Sequence, residues 1–135
     1  MIKKASVIFL MSILMSILIL NCSSNPYQQG EILYANYCAN CHMDDGSGLG
    51  ANIPTLVNAD YLAQNRDQLA CIIKYGIADT IVVNGVTYAE AMPGYPKLSE
   101  AEIANILNYV IHAWNSDLAV LNMKEIQTGL DNCQR

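Results

Sequence analysis

Cys38-Ala39-Asn40-Cys41-His42 sets two thiols three residues apart and an imidazole directly after the second. The chain of 135 residues has five cysteines and only two histidines, so chance rarely produces this order. Upstream, residues 28–40 hold no proline and carry Ile32, Leu33 and Tyr37 at helical spacings, which predicts a first helix running into the motif. Downstream, Asp44-Asp45-Gly46-Ser47-Gly48-Leu49-Gly50 reads as a loop.

Three chemistries use thiols this close. A zinc site needs two further ligands, usually as a second close pair. A dithiol redox motif needs no histidine and normally follows a strand of a βαβ unit. A covalently held c-type haem needs this order: two thiols to add across the porphyrin vinyls, and an imidazole one residue on to ligate iron. Cys38 and Cys41 are then the attachment points and His42 an axial ligand, with a zinc protein as the remaining alternative. Glycines in the following loop would let backbone approach the ring closely.

The N-terminus agrees with export. Met1-Ile2-Lys3-Lys4 is a short basic start, and residues 5–20 are apolar or Ser without a charge, an n-region and an h-region. That run is short for a bilayer span, which needs about 20 apolar residues, and no later segment approaches it. Leu18-Ile19-Leu20-Asn21-Cys22 resembles the lipobox of bacterial lipoproteins, with Asn21 in place of the usual small residue. Cys22 is the expected lipidation site; a conventional cleavage nearby and an uncleaved anchor are the alternatives. More than one acyl chain on Cys22 would give a stable membrane anchor facing the periplasm. The expected organisation is a lipoprotein-type signal peptide at 1–21, a tether at 22–26, one domain at 27–115 and a C-terminal tail at 116–135.

Lys3 and Lys4 leave with the leader, so 5 basic residues face 12 acidic ones, a net charge of −7 against −5 for the whole chain. This balance disfavours nucleic acid. It serves solubility, or it suits redox protein partners with a basic docking surface and salt-sensitive steering. With Cys22, Cys38 and Cys41 assigned, Cys71 and Cys133 remain. In an oxidising compartment they are candidates for a disulfide pinning the tail to the body. The alternative for Cys71 is a small buried side chain in an apolar helix.

Further along, Ile53-Pro54-Thr55-Leu56 is extended or turn, and residues 60–65 form a short helix. A better helix starts at Arg66 or Asp67, carries Leu69, Ile72 and Ile73 on one side, and stops at Gly76. Ile81-Val82-Val83-Asn84-Gly85-Val86-Thr87-Tyr88 is a hairpin signal, two β-branched runs around Asn-Gly. Prolines keep Ala91-Met92-Pro93-Gly94-Tyr95-Pro96 out of helix. Ser99 and Glu102 form a capping box opening a helix to about Trp114, with Ile103, Ile106, Leu107, Val110 and Trp114 in one stripe. From Ser116 the pattern weakens, with a last short helix expected over 118–126.

A sixth iron ligand favours electron transfer, whereas an open position favours ligand binding or peroxide chemistry. Met43 sits beside His42 and cannot reach the opposite face. His112 lies off the core stripe, and Met123 lies in the weakly patterned tail. Met92, stiffened by Pro93 in an extended loop, is the expected ligand.

Residues 27–115 resemble a class I cytochrome c. The residues that carry the resemblance are Cys38, Cys41 and His42; Gly30 and Tyr34, eight and four positions before Cys38; Ile106 and Tyr109 on the last main helix; Pro54, twelve after His42; Leu56; and Met92-Pro93. The resemblance implies an all-α fold, three main helices around one covalent haem c, with a small β-hairpin before the Met-ligand loop. It implies that Tyr34 packs on Ile106 and Tyr109, that the Pro54 carbonyl accepts from the His42 ring, and that Leu56 packs on haem. Tyr75, Tyr88 and Tyr95 are aromatics near the pocket, more often core packing than tuning. The implied function is a single-electron carrier, an electron-transfer protein rather than an enzyme, with His42 and Met92 on the iron. The alternatives are a haem domain fixed as the electron-entry subunit of an oxidase or dehydrogenase, and a haem sensor or peroxidase with a labile sixth ligand.

Overall fold

Helix α1 (Gln28–Tyr37) ends where the thiol pair begins. Cys38, at φ −120° and ψ −40°, leaves the helical path, and a single turn, α2 (Ala39–His42), carries the rest of the motif. The one helix expected over 28–40 is therefore two pieces. The break folds the motif onto itself: the Cys41 and His42 N–H groups donate to the Cys38 carbonyl at 3.1 and 2.9 Å. The structure, a computed structural model, describes residues 25–133 and positions 7, 9 and 11–13. Cys22 and its expected cleavage region lie outside the described residues.

α3 (Asp60–Gln64) and α4 (Leu69–Tyr75) follow a long loop. α4 starts later than the sequence suggests, after a turn closed by the Gln68 N–H on the Asn65 carbonyl at 2.9 Å, and the Arg66 side chain in that turn holds the tail. Its guanidinium donates to the Ala119 and Val120 carbonyls at 2.6 and 3.0 Å and pairs with Glu125 at 3.1 Å. Gly76 ends α4 at φ +81°, then pairs as strand β1 (Gly76–Ile77) with a later segment. The hairpin forms as β2 (Ile81–Val83) and β3 (Val86–Tyr88), with Asn84 and Gly85 at φ +50° and +77° as a primed turn requires. Asp60 and Asn84 exchange hydrogen bonds at 3.0 and 2.7 Å, tying the turn to the start of α3. The partner of β1 is β4 (Met92–Pro93), antiparallel, with Ile77 opposite Met92.

The core is the apolar face of α5 (Glu100–Trp114). Ser99 accepts from the Glu102 N–H, and the Glu102 carboxylate accepts from the Ser99 N–H at 2.8 Å, satisfying two of the helix's orphan donors. Ile103, Ile106, Leu107 and Val110 are buried, joined by Ala104 and Ile111, while Trp114 is half-buried. α1 crosses this helix at Gly30, where a Cβ would lie 2.1 Å from the Asn105 carbonyl oxygen. Only glycine permits so close an approach.

The tail does not follow the expectation. Residues 118–121 are loop, and the last helix, α6, runs Met123–Asp131. Its start is set by a second capping box, Asn122 with Glu125, the same signature as Ser99 with Glu102. Fully buried Ile126 turns inward, and α6 packs on α4 and α5. Cys71 of α4 and Cys133, 62 positions apart, are joined in a disulfide with Cα atoms 5.7 Å apart. Cross-linking a loop of that length is worth roughly 4 kcal/mol in the chain-entropy account. Cys133→Ser should therefore lower the unfolding free energy by roughly 2–4 kcal/mol in denaturant titration. Two free thiols in non-reducing mass spectra of the native chain would contradict the bridge.

Candidate functional site

Cys38, Cys41, His42, Pro54, Leu56 and Met92 all border one cleft, although they come from three separate segments. Its walls are aliphatic, with Leu69 and Ile73 from α4, Ile106 and Val110 from α5, and Val83 and Tyr88 from the hairpin. Tyr88 is core packing; Tyr75 is exposed.

His42 anchors one wall. It is 8% exposed, and its Nδ1 lies 3.1 Å from the Pro54 carbonyl oxygen. A carbonyl can only accept, so Nδ1 carries the hydrogen and Nε2 keeps its lone pair. Burial holds the imidazole's pKa below its ordinary value, with the Pro54 bond acting the other way, so the ring is neutral, the ligating form.

Several residues fix this geometry. The Tyr34 hydroxyl donates to the Met43 carbonyl at 2.7 Å, holding the backbone just past His42, where Met43 sits at φ +64°. The Tyr34 ring packs on Tyr109 and Trp114, with centroids 5.5 and 5.1 Å away. Gly48 adopts φ +73°, and a Cβ there would meet the Ile53 and Pro54 carbonyl oxygens at 2.3 and 2.6 Å. The close approach made by this loop glycine is thus to the acceptor of the His42 bond. The Leu56 N–H donates to the Gly46 carbonyl at 2.7 Å, which fixes the other side of the same strand of loop.

Sequence reading missed Asn115. This buried residue at the end of α5 accepts from the Ala59 N–H at 3.0 Å and donates to the Leu56 carbonyl at 2.8 Å. An Asn at a helix C-terminus looks like an ordinary stop, so nothing local marks it as the anchor of a loop some 59 positions back.

The thiols differ. Cys41 is exposed and Cys38 half-buried; neither is in a disulfide. Burial, with Cys41 beside it, pushes the Cys38 thiol up to about 12. At neutral pH it is protonated and a poor nucleophile on its own. Among the described residues no three His, Cys, Asp or Glu side chains converge as a metal cage would need, so the zinc alternative gains no support.

Met92 borders the same cleft, half-buried. Gly94 makes this possible, since a Cβ there would lie 2.3 Å from the Tyr75 carbonyl carbon. Met43 and Met123 are exposed, and His112 is exposed with its ring stacked on Tyr27 at 4.0 Å. Cys71 and Cys133 border a different cleft, between α4 and α6. Two free thiols, a neutral imidazole with one nitrogen committed, and an apolar wall opposite form a donor set that fits a covalently held haem.

The comparisons with known proteins agree. Residues 25–110 match the family described as cytochrome C oxidase, cbb3-type, subunit III. Cytochrome c-552 of Thermus thermophilus is 32% identical over 115 residues, covering 82% of this chain and 77% of that protein. The cytochrome c subunit of a quinone alcohol dehydrogenase from Gluconobacter oxydans is 31% identical over 90 residues, covering 65% of this chain and only 19% of that subunit. The cytochrome c subunit of gluconate 2-dehydrogenase from Pantoea cypripedii is 28% identical over 102 residues, 23% of its length. The chain therefore belongs to this family and is a class I c-type cytochrome, a helical electron-transfer protein with covalently bound haem c.

A bond of this kind raises the basicity of the imidazole, which would favour oxidised iron were His42 its ligand. Gly48→Ala should push the Pro54 carbonyl away and raise the reduction potential of the holoprotein by a few tens of millivolts, about 59 mV being tenfold for one electron. Voltammetry of wild type against variant checks this; an unchanged potential would show the bond intact or without influence.

Proposed function

We propose that this chain is a monohaem, membrane-tethered, single-electron carrier. Cys38 and Cys41 hold the haem through thioether bonds, and His42 and Met92 are its axial ligands. The observation that carries the reading is that His42, its Nδ1 committed to the Pro54 carbonyl, and Met92, held by β1–β4 pairing, border the same cleft. The haem supplies a one-electron couple, which a thioether sixth ligand biases toward the reduced state. The protein contributes the rest. Pro54 fixes the imidazole tautomer and ring angle. The aliphatic walls keep water from the iron side. Ligation by two side chains would leave the iron's surroundings little changed on gaining an electron, and no proton has to move.

The chain's acidic balance supports redox partners with a basic docking surface, and rules of charge steering make such encounters salt-sensitive. Among the described residues no helix is long and apolar enough to cross a membrane. The lipobox-like stretch ending at Cys22 supports attachment by acylation on the periplasmic side of an exported protein. The likeness to dehydrogenase cytochrome subunits supports a second reading, in which the chain is a fixed electron-entry subunit of a larger complex. Co-purification with a dehydrogenase or oxidase at fixed stoichiometry favours that reading, and isolation alone favours the carrier.

Met92→Ala should keep haem attached, open the sixth position and lower the potential. In the ferric wild type a weak near-infrared Met–Fe(III) band is expected, lost in the variant. A variant spectrum that stays low-spin at an unchanged potential would remove Met92 as ligand. Cys22→Ala should move the protein from the membrane fraction to the soluble one. Retention of a cleaved variant on membranes would remove lipidation.

A further inference from the structure

We propose that Tyr95 is a positioning residue for the haem site, and that its hydroxyl sets how readily Met92 leaves the iron. The proposal rests on Met92 being the sixth ligand. Tyr95 lies three residues beyond Met92 in the same extended segment. Its backbone N–H donates to the Ile73 carbonyl of α4 at 2.9 Å. Its hydroxyl donates to the Tyr37 carbonyl at 2.6 Å, and its ring stands edge-on to the Tyr37 ring, centroids 5.3 Å apart at 69°. Tyr37 is the last residue of α1, immediately before Cys38.

One side chain thus bridges two segments that both border the cleft. One bears Cys38, Cys41 and His42, and the other bears Met92. The segment around Met92 is otherwise thinly held. β1–β4 is two residues long on each strand, and it ends at Gly94, whose backbone lies flat on Gly76. For Met92 to withdraw, this segment has to swing away from α1, and the Tyr95–Tyr37 bond opposes that swing.

The consequence is a population effect. An external ligand such as imidazole reaches ferric iron only in the fraction of molecules whose Met92 segment is open. Its apparent affinity is the intrinsic affinity scaled by that fraction. A hydrogen bond of ordinary net strength shifts such an equilibrium by a few-fold to about tenfold. Deleting the hydroxyl should raise the open fraction by that factor without changing the closed state.

The test is imidazole titration of ferric holoprotein, followed by the visible spectrum, with Tyr95→Phe, Tyr37→Leu and Gln127→Ala beside wild type. Tyr95→Phe keeps the ring contact and removes only the hydroxyl. It should bind imidazole about three- to tenfold more tightly while retaining the near-infrared Met–Fe(III) band without imidazole. Gln127→Ala deletes a 3.1 Å side-chain hydrogen bond to Glu100, away from the cleft, and should leave imidazole affinity within twofold of wild type. Tyr37→Leu keeps the accepting carbonyl and should shift affinity less than Tyr95→Phe. An affinity for Tyr95→Phe within twofold of wild type, an equal rise in Gln127→Ala, or a larger rise in Tyr37→Leu would each overturn the proposal. Failure of the underlying reading looks different: wild type itself would lack the near-infrared band, and Met92→Ala would leave imidazole affinity unchanged.

Discussion

The bond from His42 Nδ1 to the Pro54 carbonyl is the constraint around which the molecule is organised. It selects one tautomer of a buried ring and aims one lone pair into an apolar cleft. That demands an immovable carbonyl twelve residues downstream, in a segment with no regular secondary structure of its own. The fold meets the demand from three directions. Gly48 admits the carbonyl where any side chain would strike it, Leu56 is tied to the Gly46 carbonyl, and Asn115 grips Leu56 and Ala59 from the end of α5. The irregular loop is held at chosen points: the Leu56 and Ala59 N–H groups donate, and the Pro54 and Leu56 carbonyls accept.

The part of the cleft at Met92 is built by other means. No helix presents Met92. A helix stop at Gly76 doubles as a strand edge, and Gly76 and Gly94 let two backbones touch without side chains between them. The same α4 that ends at Gly76 carries Cys71 on its outer side, where the disulfide and α6 press on it. The tail therefore stiffens the element that sets the position of the methionine segment. Its distance from the cleft is spanned by one short helix, since Ile72 and Ile73 line the cleft while Cys71 faces the tail.

Much of this was legible in residues. Gly30 and Tyr34 announced the α1–α5 crossing because only glycine fits under Asn105 and only an aromatic reaches both Tyr109 and Trp114. Asn84-Gly85 announced its turn because few other pairs tolerate two positive φ values. What escaped was non-local. The β1–β4 pairing has two residues a side and no alternation to detect. Asn115 works through partners 56 and 59 positions away. The start of α6 is a different kind of miss, because Asn122 and Glu125 form a capping box that reads as plainly as Ser99 and Glu102. The weak apolar pattern before it drew attention to 118–126 instead.

In the proposed ligation, charge and thioether would pull in opposite directions at the cleft. A thioether on iron raises the potential. The described residues bordering the cleft include Asp79 and Glu90 and no lysine or arginine. Negative charge there favours the oxidised state and lowers the potential. Both carboxylates are exposed, so water screens them. Unit charges about 10 Å apart in water interact by only roughly 0.4 kcal/mol, and salt reduces this further. The ligand effect is therefore the larger, and the carboxylates act as a trim. A basic partner seated over the cleft mouth would neutralise that trim and raise the potential on docking. Docking then helps the iron to accept an electron from such a partner and hinders its release to one. A carrier of this design works best when its acceptor offers a larger driving force than its donor, or a less basic face.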